Sequence, residues 1–242
     1  MSNHLVTVLR VLAALGIILI GSTLQAQSIG IKFNGGNGPG GVFGTDYPPM
    51  DPTEVAGVVA QANWNNAVGN MVGENGAIGF SIGPLTDQNG IALTGTSVTF
   101  GAVYTWTTGL PDAPGDSRLM GGYIDSSHVS FTVISIAGLS ALTAGSYDVY
   151  VYSNGDGHNG RRGFFFLGGL GGTVKECQDF GPFDPTAGYA EDKQDGNGGN
   201  YLHFTQVTGG TLLLLATPQN PNDPTDNGFR APINAIQIVA TP

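Results

Sequence analysis

Residues 147–156 decide the fold class of this chain: Tyr-Asp-Val-Tyr-Val-Tyr-Ser-Asn-Gly-Asp. The first six alternate and are rich in aromatic and β-branched side chains, and the next four form turns, which is the pattern of an antiparallel strand followed by its turn. Similar apolar runs bounded by Gly, Asn, Asp or Pro occupy 201–204, 211–217 and 232–239. The sequence therefore predicts an all-β protein of antiparallel strands.

Alternation along the first strand also assigns its faces. Tyr147, Val149 and Val151 share one face, which we predict to lie in the core. Tyr150 and Tyr152 share the opposite face, where two alternatives stay open. They form either a solvent-facing aromatic strip or a layer packed beneath a long loop.

The composition favours many short strands joined by tight turns. Of 242 residues, 40 are Gly and 14 are Pro, while 40% are hydrophobic, so frequent turns accompany a sizeable core. A disordered chain would contain fewer Val, Ile, Leu and Phe residues. Ten segments have strand patterns: 28–34, 55–64, 91–100, 104–107, 129–136, 147–153, 163–167, 201–207, 211–217 and 233–240. Their spacing predicts an antiparallel β-sandwich or jelly roll.

The N-terminus has the pattern of a secretory signal peptide over 1–26. Arg10 precedes an apolar run at 11–21, and Ala26 supplies a small residue for cleavage. This pattern predicts a secreted protein, extracellular or periplasmic, with no membrane contact after cleavage. An uncleaved anchor is the alternative. The remainder, 27–242, contains neither an internal repeat nor a linker, so we expect one sandwich domain.

The charge balance limits the partners. The chain carries a net charge of −10, so nucleic acid and anionic lipid are poor partners. Acidic loops suit Ca²⁺ or neutral ligands such as glycans. Cys177 is the single cysteine, which excludes an internal disulfide. We predict that it is a small buried apolar residue, with a reactive thiol or an intermolecular link as the alternative.

Five segments carry a family resemblance: 29–33, 60–66, 115–123, 147–152 and 230–238. In these segments the chain resembles a group of secreted bacterial proteins of the PEP-CTERM-associated type, whose domains resemble galactose-binding-like jelly rolls. The sorting tail often present in that group does not follow Thr241 and Pro242. The resemblance implies the fold and no particular activity. Jelly rolls of this type elsewhere bind sugars, which is an analogy between folds only.

Carbohydrate binding is the first chemistry that the residues suggest. A sugar offers a flat apolar face and a ring of hydroxyl groups, so its sites combine an exposed aromatic ring with a few polar side chains. Trp64 is followed by two asparagines, and Trp106 lies two residues after Tyr104. The candidates for ligand binding are Trp64, Asn65, Asn66, Tyr104, Trp106, Arg118, Tyr150 and Tyr152. The alternative for each aromatic residue is packing within the protein.

Calcium binding is the second chemistry that the residues suggest. Asn154 and Asp156, and likewise Asp192 and Asp195, lie in Gly-rich loops that offer several oxygen ligands to a cation requiring about 6–8 of them. Neither loop has the glutamate that completes an EF-hand. Ordinary turns have the same composition, so a structural Ca²⁺ remains one of two alternatives.

Catalysis has two candidate patterns. Ser81 lies in a G-x-S-x-G pentapeptide, but this motif requires a strand–turn–helix unit in an α/β sheet, so we predict a strand or turn residue. Asp112, Asp116 and Asp125 lie close to Arg118 in sequence. A retaining glycosidase needs two carboxyl groups about 5–5.5 Å apart, and an inverting one about 6.5–9.5 Å. The structural alternative is an ion pair between Arg118 and Asp116 or Asp125 that fixes a loop.

These patterns favour a secreted, non-catalytic module that binds carbohydrate or mediates adhesion. A binding face needs only a rigid sheet and a few aromatic residues, whereas no catalytic constellation is evident from the spacing. Two alternatives stay open. One is an extracellular hydrolase of polysaccharide or ester that uses the three aspartates or Ser81. The other is a structural matrix or surface-layer subunit that assembles into oligomers through its strand edges.

Overall fold

The structure, a computed structural model, describes residues 26–36, 47–68, 80–127, 130–155, 161–179, 181–218 and 230–241. All but the last residue of the expected signal peptide lie outside these ranges. In the described part of the chain, no helix has the length and apolar character of a membrane span.

Strands dominate the described residues, with one short helix and a 3₁₀ turn at Leu139–Ala141. The elements are β1 Ser28–Phe33, β2 Asn65–Ala67, β3 Phe80–Ile82, β4 Leu85–Thr86, β5 Ala92–Leu93, β6 Ser97–Gly101, β7 Tyr104–Thr107, α1 Asp116–Met120, β8 Gly122–Asp125, β9 Thr132–Ala137, β10 Ser146–Tyr152, β11 Arg161–Leu167, β12 Thr173–Asp179, β13 Tyr201–Val207, β14 Thr211–Thr217 and β15 Ala235–Thr241.

Two large sheets form the sandwich. The five-stranded sheet has the order β13-β10-β15-β1-β2, and the six-stranded sheet has the order β12-β11-β14-β9-β6-β3. Two further pairs, β4-β5 and β7-β8, stand beside them. All paired strands of the described chain run antiparallel except β1 and β2, which are parallel.

The strand pairing is that of a jelly roll. From β9 onward the pairs are nested: β11 with β12, β10 with β13 and β9 with β14, while β1 pairs with β15 at the two ends of the described chain. In a jelly roll a long pair of antiparallel strands is folded over, so that successive strand pairs alternate between the two sheets. The predicted fold class, an all-β antiparallel sandwich of jelly-roll type, is therefore confirmed.

The main core lies between the two sheets. Tyr147, Val149 and Val151 project into it, as their alternation predicted, and meet residues such as Phe165 and Leu214 of the opposite sheet. Cys177 is also buried in this core and forms no disulfide, which agrees with the prediction.

A second apolar layer covers the outer face of the five-stranded sheet. Trp64, Tyr150 and Tyr152 lie in it together with residues of α1 and of the segments 50–64 and 181–201. The alternative of a layer beneath long loops is thus correct for the second face of β10. Gly30 of β1 permits this packing, because a Cβ atom there would lie 2.5 Å from both Trp64 Cε3 and Gln61 Nε2.

Several sequence-based strand assignments were wrong. Segment 91–100 divides into β5 and β6, and the short strands β2, β3, β4 and β8 were not predicted. Segment 55–64, predicted as a strand, forms turns with a single bridge between Ala56 and Gln61. Conversely, β12 lies between the predicted strands 163–167 and 201–207, where no strand was predicted. Its polar residues, including Lys175 and Gln178, obscured the strand pattern, although Cys177 between them faces the core.

Candidate functional site

The first predicted aromatic residues, Trp64 and Tyr152, are buried. Trp64 is 4% exposed, and its indole N–H donates to the Gln61 carbonyl oxygen at 3.1 Å. The Tyr152 hydroxyl donates to Gln237 Oε1 and accepts from the Val58 N–H, both at 2.8 Å. These rings have no free face, so the structure favours the packing alternative for both.

The two asparagines after Trp64 hold neighbouring backbone segments in place. Asn65 donates to the carbonyl oxygens of Gly30 and Thr86, each at 2.9 Å. Asn66 donates to the Met50 carbonyl oxygen at 2.9 Å and accepts from the Met50 N–H at 2.8 Å. Both amides are therefore used by the fold.

Tyr150 belongs to a partly exposed group on the outer face of the five-stranded sheet. Its ring stacks on His203 at a centroid distance of 4.4 Å and an interplanar angle of 7°. His203 Nε2 lies 3.3 Å from Asp148 Oδ2, and the Tyr201 ring lies 6.1 Å from Tyr150. Tyr150 is only 9% exposed, so little of its surface is open to a ligand.

Tyr104 and Trp106 are the predicted aromatic residues that keep open surface. They lie two residues apart on β7, so both project from one face, and both are half-buried. Their ring centroids are 6.3 Å apart with an interplanar angle of 52°. Thr105 between them points inward and is fully buried. We call Tyr104 and Trp106 the aromatic pair.

Arg230 lies against the aromatic pair. Its guanidinium carbon is 5.4 Å from the Tyr104 ring centroid and 5.6 Å from the Trp106 centroid, within the range of cation–π attraction. Nη1 donates to Asp125 Oδ2 at 2.9 Å. Asp125 stands directly opposite Tyr104 in the β7-β8 register, so the carboxylate fixes the guanidinium beside the rings.

The backbone around Arg230 makes this arrangement rigid. The N–H groups of Ala231 and Ser126 donate to Asp125 Oδ1 at 3.1 and 2.8 Å. Ile124 and Ile233 exchange two backbone hydrogen bonds of 3.0 and 2.9 Å, so the segment after Arg230 runs along β8. The site therefore rests on three adjacent extended segments rather than on a free loop.

Asp125 is a buried carboxylate whose ionised form is stabilised by hydrogen bonds from neighbouring N–H groups. Burial raises the pKa of Asp125 to about 6, while Arg230 and the N–H groups of Ala231 and Ser126 oppose this rise. A pKa of about 6 leaves the carboxylate mainly ionised at pH 7, where it compensates the Arg230 charge.

The other predicted carboxylates have separate partners. Arg118 binds Asp112, with Nε 2.8 Å from Oδ1, and also Glu54. Asp116 Oδ1 instead accepts from the Gly57 N–H at 3.0 Å and from the Tyr189 hydroxyl at 2.7 Å.

The predicted pairing of Arg118 with Asp116 or Asp125 was therefore wrong. Arg118 itself forms an ion-pair cluster with Asp112 and Glu54. None of the three predicted aspartates is left without a hydrogen-bond partner.

Ser81 lies in the middle of β3, an edge strand of the six-stranded sheet. It is exposed and stands opposite Thr99 in an antiparallel register. A strand position of this kind is what the sequence favoured, and it lacks the strand–turn–helix geometry of a nucleophile elbow.

The predicted calcium ligands have structural roles where they are described. Asn154 accepts from the Phe183 N–H at 3.0 Å and donates to the Gly181 carbonyl oxygen at 2.9 Å. Exposed Asp195 accepts from the Asn197 N–H at 3.0 Å. Asp156 lies outside the described residues. Within the described ranges, no group of three or more His, Cys, Asp or Glu side chains is arranged to hold a metal ion.

Asp192 takes part in covering a strand edge. Its Oδ2 accepts from the Gln178 N–H of β12 at 2.8 Å. Gln194 Oε1 accepts from the Glu176 N–H at 2.7 Å, and the Gly199 N–H donates to the Gln178 carbonyl oxygen at 3.0 Å. Segment 192–199 thus replaces a neighbouring strand along β12.

Two notable residues were missed at the sequence level. Arg230 gave no signal beyond its position just before a predicted strand. Lys32 of β1 is fully buried, and its ammonium group donates to Asn34 Oδ1 at 3.0 Å and to the Pro48 carbonyl oxygen at 3.2 Å. Burial lowers the pKa of Lys32 to about 7. A basic residue between Ile31 and Phe33 in an apolar strand was the available signal.

Comparison of the chain with protein-family models, with curated proteins and with solved structures gives no match.

Proposed function

We propose that this protein is a secreted, non-catalytic carbohydrate-binding domain and that the aromatic pair and Arg230 contact the sugar. Two half-buried rings with a guanidinium held beside both carry the proposal. An aromatic face packs against the C–H face of a sugar ring, and guanidinium N–H groups donate to its hydroxyl oxygens.

The rigidity of the site supports binding. Asp125 holds Arg230 in place, and β7, β8 and the segment after Arg230 fix the two rings. A ligand would therefore meet side chains that lose little conformational freedom on binding, which favours affinity. The signal-peptide pattern of residues 1–26 supports export to where polysaccharides occur.

A rival cleft is less favourable. It has a volume of about 380 Å³ and is lined by segments 181–190 and 197–200. Asn154 and Asn200 are among its polar side chains, and both already bond to the backbone of this region. Phe183 is 3% exposed, so the cleft offers little aromatic surface for stacking.

Hydrolysis and assembly receive less support. Asp112, Asp116 and Asp125 each bind a different structural partner, so no pair of them is free for acid–base chemistry. Assembly through strand edges would need open backbone groups, but segment 192–199 covers those of β12. The opposite edge of the same sheet, β3, is only three residues long, which is too short to favour pairing between copies. The register of β13 against β10 is interrupted by a bulge, which disfavours further pairing.

Affinity electrophoresis of the secreted form against a panel of soluble polysaccharides tests the proposal. We expect retention on at least one polymer and a loss of about tenfold or more in Trp106→Ala and Tyr104→Ala, because truncating a central Trp or Tyr of a binding site costs on the order of 2 kcal/mol. Phe131→Ala is the matched control, since Phe131 is an aromatic residue with 37% exposure that directly precedes β9 of the six-stranded sheet. Absence of retention on every polymer would refute a carbohydrate-binding function.

A further inference from the structure

Arg230 has more hydrogen-bond donors than the protein uses. A guanidinium carries five N–H groups. Within the described residues, Arg230 makes one hydrogen bond, to Asp125 Oδ2. The side chain is 25% exposed, and neither Nε nor Nη2 is among the described chain's buried nitrogen atoms without a partner, so these N–H groups are open to a ligand at the edge of the aromatic pair. Such a fork matches two adjacent oxygen atoms on one ligand.

Two ligand classes offer adjacent oxygens to a guanidinium: a sugar carboxylate and a pair of neighbouring hydroxyl groups. They differ in charge, and the charges around Arg230 distinguish them. Asp125 is fully buried and lies 2.9 Å from Nη1, so the guanidinium already has its counter-ion. A second carboxylate would share one cation with Asp125 in a poorly solvated site, where like charges repel strongly.

The net charge of the whole chain also favours a neutral ligand over an acidic one. Its net charge is −10, so an acidic polymer would approach against long-range repulsion. Hydroxyl groups accept the same hydrogen bonds without bringing charge. The C–H face of a neutral sugar also suits Tyr104 and Trp106 better than a charged, hydrated group does.

We infer that Arg230 is the specificity-determining residue of this site and that it selects a neutral sugar with two adjacent hydroxyl groups, discriminating against the corresponding uronic acid. The inference rests on the proposed function, since it identifies the ligand class of the same site. Asp125 has a positioning role, because it holds Arg230 and cancels its charge.

Paired oligosaccharides provide the test. Tetramers of glucose, galactose and mannose are compared by biolayer interferometry with tetramers of the matching uronic acids, using the secreted form at pH 7. We expect at least one neutral member to bind tenfold or more tightly than its acid. Its Kd should change less than twofold between 50 and 500 mM NaCl, because an uncharged ligand is not subject to ionic screening.

Two variants test whether the preference for a neutral sugar depends on the ion pair between Arg230 and Asp125. Arg230→Lys keeps the charge and removes the planar fork, so binding of the neutral sugar should fall at least tenfold. Asp125→Asn leaves the guanidinium uncompensated, so the preference for the neutral member should shrink or reverse. Thermal unfolding of each variant verifies its fold, and Arg230→Lys alone decides the matter if Asp125→Asn does not fold.

The possible outcomes distinguish failure of the inferred ligand class from failure of the proposed carbohydrate-binding function. If a uronic acid binds more tightly than its neutral counterpart and weakens as salt increases, the ligand class is wrong while carbohydrate binding stands. If Arg230→Lys binds as the unmodified protein does, Arg230 does not select the ligand. If no tetramer binds and Trp106→Ala leaves polysaccharide retention unchanged, the proposed function and this inference both fail.

Discussion

At the scale of single residues, Asp125 links the candidate site to pH. Its pKa of about 6 in the folded protein exceeds the ordinary value of 3.8. The folded state therefore holds this proton more tightly than the unfolded state does. The resulting stabilisation is present in full below pH 3.8 and disappears as the pH rises through 6.

Asp125→Asn cannot titrate, so comparison of the variant with the unmodified protein isolates this contribution. We expect the free energy of unfolding of the unmodified protein, minus that of the variant, to decrease between pH 4 and pH 6.5 and then to level off. Urea unfolding at a series of pH values measures the difference. A difference that grows with pH would mean that the ion pair with Arg230 outweighs the effect of burial.

Gly30 allows the second apolar layer to approach the five-stranded sheet. In Gly30→Ala the new Cβ atom would lie 2.5 Å from Trp64 Cε3 and from Gln61 Nε2, so the layer must move. We expect a loss of about 1–3 kcal/mol in the free energy of unfolding, the usual cost of overpacking. Gly145→Ala is the control, because a Cβ atom there meets nothing within 4 Å. Equal denaturation midpoints for the two variants would contradict the close approach.

At the scale of the elements, the covered edge of β12 has a measurable role. Asp192→Ala removes the acceptor of the Gln178 N–H and that of the Gln194 N–H. We expect destabilisation of about 1–3 kcal/mol from the unsatisfied donors and, because a strand edge opens, concentration-dependent self-association. Thermal unfolding and light scattering measure the two effects.

Asp195→Ala is the control, because it changes the same loop without exposing the edge of β12. Asp195 is exposed, and the hydrogen bond from the Asn197 N–H to its carboxylate stays within the turn. This variant should remain monodisperse and nearly as stable as the unmodified protein. Self-association of both variants to the same extent would show that covering of β12 is not what Asp192 contributes.

The strands and loops also explain which features could be predicted from the sequence and which could not. Alternation along β10 predicted the core residues Val149 and Val151, because that signal lies within one strand. The pairing of Arg230 with Asp125 could not be predicted, since 105 residues separate them and only the meeting of β8 with the segment before β15 brings them together. Burial of Trp64 was likewise open, because it depends on the loops that cover the five-stranded sheet.

At the scale of the whole molecule, closure of the jelly roll depends on pairing between the two ends of the described chain. In the five-stranded sheet, β1 lies between β15 and β2, and all six of its residues are buried. Ile29, Ile31 and Phe33 project from it into the main core, while Lys32 holds Pro48 from its outer face. No local contact can replace a strand in this position.

Removal of residues 1–33 should therefore abolish cooperative folding, whereas removal of residues 1–25 should not. The shorter deletion leaves β1 intact and ends just before the described residues begin. The longer one leaves β15 and β2 without the strand that joins them and removes Ile29, Ile31 and Phe33 from the core. Burial of these three side chains contributes about 5–9 kcal/mol, which is comparable to the roughly 5–15 kcal/mol that stabilises a typical domain. Thermal unfolding followed by near-ultraviolet circular dichroism compares the two. A cooperative transition at the same temperature in both would mean that the remaining strands close the sandwich without β1.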